Sequence, residues 1–332
     1  MKTLKHLSIL LISLVLFASC NNQEKGKYLP NVTGKPGEVL LVIEKGHWEG
    51  EIGSLLKDIL ASDYPFLPQR EPIFTLYNAT HSSFQDYGPY SAHRNIIIFY
   101  IGSNHTTPKV TIQEDLWAAP QVVISLFAPD QKSALGILSE KKELVINALE
   151  QAERDRIIRN AKKYQEISIR KQVLERYGGS PYFPQGYGLK KITDDFMWIS
   201  YETTYLTQGI FIYSYPYNGE TLTKESVIEK RNEVMKANVP GMRDNSYMIT
   251  GSFFHPSFNW MKYKNRTFAE TRGLWEVEND YMGGPFVCHS FWDKENKRII
   301  VLEGFVYAPK FDKRNYLRQV ESILYSFEWE NE

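Results

Sequence analysis

Cys20 is the residue whose chemistry the sequence defines best. It follows two lysines, an almost unbroken apolar run at 7–17 and two small residues, the order of a secretion signal with a cysteine at its cleavage site. An apolar helix of that length measures roughly 16 Å, about half the thickness of the hydrocarbon core of a bilayer. We therefore predict that residues 1–19 are a signal peptide that is removed and does not span a membrane.

The segment Phe17-Ala18-Ser19-Cys20 is similar to the lipobox of bacterial lipoproteins, although Phe17 stands where a leucine is more usual. The resemblance implies that the Cys20 thiol receives a diacylglyceryl group and that the new amino group is acylated after cleavage. Two or more acyl chains on one cysteine anchor a protein stably, whereas one chain binds only marginally. Residues 21–27 contain no run of acids, so we expect anchoring to the outer membrane, on its periplasmic side.

Glu270, Arg272 and Glu303 form the second set of residues that could do chemistry. A hairpin is predicted between the last two long strands, around 293–297, and a symmetrical hairpin places Glu303 opposite Cys288. Glu270 and Arg272 share one face of the preceding strand, because side chains alternate with a period of two. The three residues could line a ligand cleft. We favour the competing interpretation, an ion pair that balances a partly buried polar patch, because ion pairs also perturb carboxylates outside active sites.

The remaining motifs predict no catalytic residue, no metal site and no cofactor. His81, His93 and His105 are spaced by twelve residues near loops, and that is not a ligand spacing. The sequence contains no Gly-x-Ser-x-Gly nucleophile motif, and the Gly-Gly-Pro at 283–285 indicates a turn because proline lacks the N–H that a phosphate loop needs. Cys288 lies in an apolar, strand-like run and is predicted to be a buried core thiol.

Charge and length limit the class of protein. The chain has 332 residues with 39 basic and 39 acidic side chains, and loss of the signal peptide removes two lysines, which leaves 37 against 39. We expect no nucleic-acid partner, because such proteins usually gather a basic excess on one face. The 313 residues that follow the signal peptide are enough for two domains or for one large two-part domain.

A flexible tether at 20–35 is predicted to lead into an N-terminal α/β half at 36–128. Continuous apolar runs in this half are typical of strands that are covered on both faces. The predicted elements are a strand at 37–43, a helix at 51–60 and further strands at 72–77, 95–101 and 121–127. The order indicates a β-α-β beginning and a sheet of at least four strands with helical cover.

A charge-dense segment predicts a long bridging helix over 129–180, with a break indicated near 163–168. Its apolar stripe is expected to dock on a sheet, because the heptad pattern of a coiled coil is interrupted. Residues 181–332 then alternate strands, a helix, strands and a closing helix, which indicates an antiparallel sheet with packed helices. The predicted fold class is α+β, with two sheet-plus-helix halves, mainly antiparallel, joined by a long charged helix.

Aromatic residues make up 14 % of the chain and have two interpretations. Exposed rings in an envelope protein can stack on sugars or peptides, whereas a strand-rich core also needs aromatic residues. We favour the core interpretation because most of these residues fall within predicted strands. Those that cluster near turns are Tyr177, Tyr182, Phe183, Tyr187, Tyr213, Tyr215 and Tyr217.

Short motifs spread over most of the mature chain carry a resemblance to a known family. They are Arg154-Asp155-Arg156, Tyr215-Pro216-Tyr217, Lys230-Arg231-Asn232-Glu233, Arg272-Gly273-Leu274-Trp275, Met282-Gly283-Gly284-Pro285 and Tyr307-Ala308-Pro309. The chain resembles, through these motifs, the lipoproteins described as domain of unknown function 4837. That family has no assigned activity, so the resemblance implies a location and not a mechanism.

The second half, 186–327, also looks like a distant version of the PsbP and Mog1 fold group. The likeness rests on a Gly-Tyr-Gly-Leu at 186–189 before a Trp-bearing strand, on Thr-Leu-Thr at 221–223 before a helix, and on the terminal helix ending at 323–327. These motifs are weakly specific, so the resemblance implies the fold alone.

Three hypotheses about function follow. The first is a non-enzymatic envelope lipoprotein that binds a protein or a glycan through one face of its C-terminal sheet. The alternative is a hydrolase of envelope polymers that uses Glu270 and Glu303, which would require both carboxyl groups to share an open groove. The third is an assembly factor that uses the long central helix.

Overall fold

The computed structural model describes residues 29–330. The predicted signal peptide at 1–19 and Cys20 lie outside this range, so cleavage and lipidation stay predictions. The described part combines helices with both parallel and antiparallel strands, which confirms the α+β class. Within the same range, no helix is both long enough and apolar enough to cross a membrane.

The first half contains a mainly parallel sheet. Its elements are β1 (Glu38–Val42), α1 (Lys45–Trp48), α2 (Glu51–Leu60), β2 (Thr75–Ala79), β3 (Asn95–Ile101), β4 (Lys109–Glu114) and β5 (Val122–Ala128). The strand order is β2-β1-β3-β5-β4, and β4 alone of these five strands runs antiparallel to its neighbour. The apolar runs of β1, β3 and β5 are largely buried, as expected for parallel strands between two covering layers. The antiparallel description therefore holds here only for β4, an edge strand whose mostly exposed residues form no apolar run.

The bridging segment consists of three consecutive helices. They are α3 (Gln131–Glu140), α4 (Lys142–Lys163) and α5 (Ile167–Tyr177). The break predicted near 163–168 separates α4 from α5, where the backbone N–H of Glu166 donates to the carbonyl of Phe183. Gly178 follows α5 as its C-cap, and its φ of 72° is a left-handed conformation that glycine adopts at little cost.

The second half is built on an antiparallel sheet. Its elements are β6 (Gly179–Ser180), β7 (Gly188–Ile192), β8 (Phe196–Thr203), β9 (Leu206–Pro216), α6 (Lys224–Asn238), β10 (Met248–Thr250), β11 (Ser257–Tyr263), β12 (Arg266–Val277), β13 (Gly283–Asp293), β14 (Arg298–Tyr307), α7 (Arg314–Tyr325) and β15 (Glu328–Trp329). The order is β10-β12-β13-β14-β9-β8-β7, with β11 also paired to β12. The predicted hairpin register is confirmed, because Cys288 lies opposite Glu303.

Helices α6 and α7 cover opposite faces of this second sheet. Leu317 of α7 belongs to one apolar cluster with Ile212. Met235 of α6 belongs to another cluster with Tyr213, the next residue along the same strand. Neighbouring residues of a strand point to opposite faces, so each central strand supplies side chains to both layers.

A glutamate of the first half caps the last helix of the second half. The Glu71 carboxylate accepts hydrogen bonds from the backbone N–H groups of Lys313 and Arg314, at 2.6 and 2.8 Å. The first N–H groups of a helix have no partner within it, and a negative charge there also interacts favourably with the helix dipole. Glu71 is buried between the halves. The N-terminus of α7 is therefore satisfied only when both halves are in place.

Charged contacts continue along α7 and join it to α4. Arg318 donates to the Glu150 carboxylate at 3.2 Å, and its guanidinium lies 4.7 Å from the ring centre of Phe74. Further along the two helices, the guanidinium of Arg154 lies 3.8 Å from the ring centre of Tyr325. The long helix α4 thus packs within its own chain.

We predict that Glu71→Ala lowers the free energy of unfolding by about 1–2 kcal/mol, the usual cost of losing a helix cap. Urea denaturation measures the change. The matched control is Glu49→Ala, because Glu49 is exposed and pairs with Lys45 on the helix surface. It is expected to shift the free energy by less than about 0.5 kcal/mol. Equal effects of the two substitutions would contradict the capping role.

Candidate ligand-binding groove

Glu270, Arg272 and Glu303 do not line one cleft. Glu270 lies opposite His289, and Glu303 lies opposite Cys288. Cross-strand partners point to the same face, whereas the adjacent residues 288 and 289 point to opposite faces. Glu303 is therefore on the α6 face and Glu270 on the α7 face. The alternative of a shared ligand cleft is therefore wrong, and the favoured interpretation, ion pairs that balance buried charges, describes both positions.

Glu303 is held by Arg231 of α6. The guanidinium donates to both carboxylate oxygens, at 2.9 and 2.7 Å, and both side chains are fully buried. Burial raises the pKa of Glu303, and the positive charge of Arg231 opposes that shift. The sequence analysis did not identify Arg231. Its burial could have been predicted, because Val227, Arg231 and Met235 are spaced by four residues along the buried stripe of the helix.

Glu270 and Arg272 belong to a second buried network, beneath α7. Arg272 donates to the two oxygens of Glu270 at 2.7 and 3.1 Å and also pairs with Glu321 of α7. Burial alone would raise the pKa of Glu270, but Arg272 and His289 outweigh it and hold that pKa well below its ordinary value. This network attaches α7 to the sheet.

His289 is fully buried beside this network. Its Nε2 lies 3.7 Å from the Glu270 carboxylate, too far for a hydrogen bond, and its ring centre lies 4.1 Å from that of Phe268. Burial lowers the pKa of His289 to about 4, although Glu270 favours the protonated form. His289 is therefore a neutral core residue at neutral pH.

Cys288 is a buried core thiol, as predicted. Burial raises its pKa, and the nearby Glu303 raises it further. The thiolate is the nucleophilic form of cysteine, so this position is unreactive.

The three histidines spaced by twelve residues do not meet. His81 and His105 both contact the ring of Tyr100, whereas His93 lies 3.8 Å from Glu38. Among residues 29–330, no three His, Cys, Asp or Glu side chains are placed so that they could hold a metal ion.

An open groove lies at the end of the second sheet, where the β11–β12 and β13–β14 hairpins turn. Its volume is about 430 Å³, and its lining includes Trp260, Trp292 and Tyr217. The two tryptophans are 53 and 46 % exposed. Ala269 of β12 pairs with Trp260 of β11 on one side and with Ser290 of β13 on the other. Ser290 lies two residues before Trp292 in the same strand. The period of two therefore places both indoles on the α6 face of the sheet.

Polar groups stand beside these rings. Tyr217 and Trp292 have ring centres 5.0 Å apart, and the Lys294 ammonium lies 5.1 Å from the Trp292 ring. The side chains of Thr221, Asn265 and Thr267 line the same groove. Exposed aromatic faces next to hydroxyl and amide groups can stack on the apolar face of a sugar ring and bond its hydroxyls.

Most of the aromatic residues that cluster near turns are core residues. Tyr177, Phe183, Tyr187 and Tyr213 are buried, which confirms the favoured interpretation for these four. Tyr217 instead lines the groove. The two tryptophans of the groove were missed, since an outward-facing aromatic residue in a strand has the same sequence pattern as an inward-facing one.

Two family models match the chain. Residues 166–326 match the family described as Domain of unknown function (DUF4837), and residues 32–162 match the one described as Domain of unknown function (DUF8532). The predicted resemblance to the first family is confirmed for the second half of the chain. The motif at 154–156 that was assigned to it lies in the other match instead. No curated protein matches this chain.

Solved structures resemble the chain over about half of its length. The Saccharomyces cerevisiae Ran-binding protein Mog1p is 9 % identical, with a TM-score of 0.31, over 46 % of this chain and 90 % of its own. A mutant of Mog1 is 10 % identical, with a TM-score of 0.32 and the same coverage. The human StarD13 (DLC2) lipid transfer and protein localization domain is 10 % identical, with a TM-score of 0.21, over 47 % of this chain and 95 % of its own.

We predict that His289 makes the stability of the protein depend on pH. The pKa of His289 is about 4 when folded and near its ordinary 6.5 when unfolded, so the unfolded chain binds more protons between these values. Its contribution, roughly 3 kcal/mol, is present above pH of about 6.5 and is lost as the pH falls towards about 4. Urea denaturation over this range measures the slope.

His289→Leu should flatten that slope. The matched control is His255→Gln, because His255 is exposed. It is expected to leave the slope unchanged. A wild-type slope in the His289→Leu variant would show that the buried imidazole does not cause the acid sensitivity.

Proposed function

We propose that this chain, whose residues 166–326 match the DUF4837 family, is a lipid-anchored protein of the bacterial cell envelope that binds a glycan. The groove at the hairpin end of the second sheet is the observation that carries the binding role. Helices α6 and α7 pack on the two faces of this sheet, whereas Trp260 and Trp292 stay about half exposed on the α6 face.

A glycan fits this groove better than a protein surface does. The groove is concave, and polar side chains such as Asn265 and Thr267 line it together with its aromatic rings. A sugar ring can use both kinds of group, because its C–H groups form an apolar face and its hydroxyls form a polar edge.

The structure does not support the hydrolase hypothesis, because its two carboxylates do not share a groove. Glu270 and Glu303 lie on opposite faces of the sheet and are 6 and 0 % exposed. A glycosidase needs both carboxyl groups at the same scissile bond, about 5–9.5 Å apart. The assembly hypothesis requires the central helix to be free for a partner protein. It is weaker because α4 already contacts α7 through Glu150 and Arg154.

The anchor rests on the sequence around Cys20. The described chain begins at residue 29, shortly after that cysteine, and its isolated bridge from Asn31 to Ala119 places this end on the first half. An anchor there would hold the first half nearest the outer membrane, on the periplasmic side. A glycan ligand would then come from the polymers of the envelope.

We predict that Trp292→Ala weakens glycan binding at least tenfold, which corresponds to about 1.4 kcal/mol or more for the loss of one stacking ring. Isothermal titration calorimetry with purified muropeptides and with lipopolysaccharide core oligosaccharides measures the affinity. Trp260→Ala is expected to act in the same direction.

Tyr90→Ala is the matched control for these variants, because Tyr90 is equally exposed but lies on a loop of the first half. It should bind as the wild type does. Absence of binding by the wild type to either class of sugar, or equal affinity of all variants, would remove the glycan proposal.

We predict that Cys20→Ser abolishes incorporation of a clickable palmitate analogue and moves the protein from the membrane fraction to the soluble fraction. The reason is that acyl chains on one cysteine supply the anchoring energy. Cys288→Ala is the control: this thiol is buried, so labelling and fractionation should stay as in the wild type. Continued membrane association of Cys20→Ser would contradict the anchor.

A further inference from the structure

Strand β11 is an open edge of the second sheet. It pairs with β12 through seven residues in continuous register, without a bulge. On its other side, no strand of the described chain pairs with it. The backbone N–H and C=O groups on that side form a row that an extended polypeptide can match, as in the addition of a strand to a sheet.

Large apolar side chains are exposed on this strand and on the segment that precedes it. Phe253, Phe254, Trp260 and Met261 are 80, 41, 53 and 38 % exposed, and they lie close together in the chain, at 253–261. Natural edge strands usually carry several charges, a proline or a bulge that prevents pairing. Lys262 is the one charged residue of β11. This edge is therefore unusually open to a partner strand.

We propose that β11 pairs with β11 of a second copy of this chain, antiparallel and about a two-fold axis at Trp260. Trp260 is the central residue of the strand, so this register keeps the full length of both copies in contact. The same patch then contacts itself, as a closed two-fold interface requires. The two sheets join into one continuous sheet.

The side chains of β11 are complementary in this register. Phe258, Trp260 and Lys262 share one face by the period of two. Pairing about Trp260 places Lys262 of each copy opposite Phe258 of the other, so each ammonium meets an aromatic ring and no two lysines of the strand face each other. The two Trp260 rings meet at the axis. This complementarity favours a second copy over an unrelated strand.

The contact is small, because it centres on one seven-residue strand from each copy. Interfaces of this kind fall at the low end of stable size classes. The pairing is therefore expected to be weak in dilute solution and stronger where copies share one surface, since confinement raises their effective concentration. In that respect the inference rests on the proposed lipid anchor. Trp260 belongs to both the groove and the paired strand, whereas Trp292 lines the groove and lies outside β11.

The test uses the full-length lipidated protein in its own membranes. Trp260→Cys, in a Cys288→Ala background, should crosslink to itself with a short bismaleimide, because facing residues of paired strands lie about 4.5–5.5 Å apart at Cβ. Tyr205→Cys in the same background is the control, since Tyr205 is exposed far from β11 in sequence. It should form no crosslinked dimer.

A charge exchange then tests the register. Phe258→Lys should reduce the dimer fraction at least tenfold in light scattering of the detergent-solubilised protein, because a lysine of each copy would then face a lysine of the other. Adding Lys262→Glu should restore the dimer, because the lysine introduced in one copy would then face the glutamate introduced in the other. Melting temperatures of both variants show whether folding is retained. The Trp260→Cys crosslink is a separate readout, because it does not use the Phe258 and Lys262 variants.

Several outcomes would overturn the proposal. They are a monomer in membranes and in detergent, a Trp260→Cys crosslink to a different envelope protein, and equal dimer fractions in wild type and Phe258→Lys. Loss of glycan binding in Trp292→Ala with intact dimers would leave this inference standing, so the two proposals fail separately.

Discussion

The N-terminus of α7 depends on a carboxylate from the other half of the molecule. Glu71 accepts hydrogen bonds from the first N–H groups of this helix, and Arg318 and Glu321 then carry charged contacts along its length. α7 in turn covers one face of the second sheet and completes the core on that side. A buried cap of this kind couples the two halves, because the first N–H groups of α7 have no such partner without the first half.

Buried charges on both faces of the second sheet determine where its covering helices lie. Arg231 pairs with Glu303 under α6, and Arg272 joins Glu270 to Glu321 under α7. A buried charge without its partner is costly, so each pair fixes its helix in one position over the strands. Open sheet surface is left where the hairpins turn beyond the helices. The groove is found at this end, and its exposed aromatic residues are the ones that the helices do not cover.

The sequence predicts those features that depend on local periodicity. The hairpin that places Cys288 opposite Glu303 could be predicted because its turn is short and the period of two then fixes the register. Continuous apolar runs likewise indicated β1, β3 and β5. The face on which Glu270 lies relative to Glu303 could not be predicted, because it depends on how β12 aligns with β13 across a loop. β4 and β11 were missed because most of their residues are exposed and neither strand forms a continuous apolar run.

The boundary between the two family matches lies at residues 162–166, yet the contacts that join the halves cross it repeatedly. Glu71, Glu150 and Arg154 lie in one match, and the residues that they hold on α7 lie in the other. A mutation on one side thus leaves a buried charge unsatisfied until its counterpart changes as well. Exchange of one half for that of a distant relative would likewise leave buried charges without their partners. We therefore expect the two modules to be inherited as a pair, with correlated substitutions at these positions.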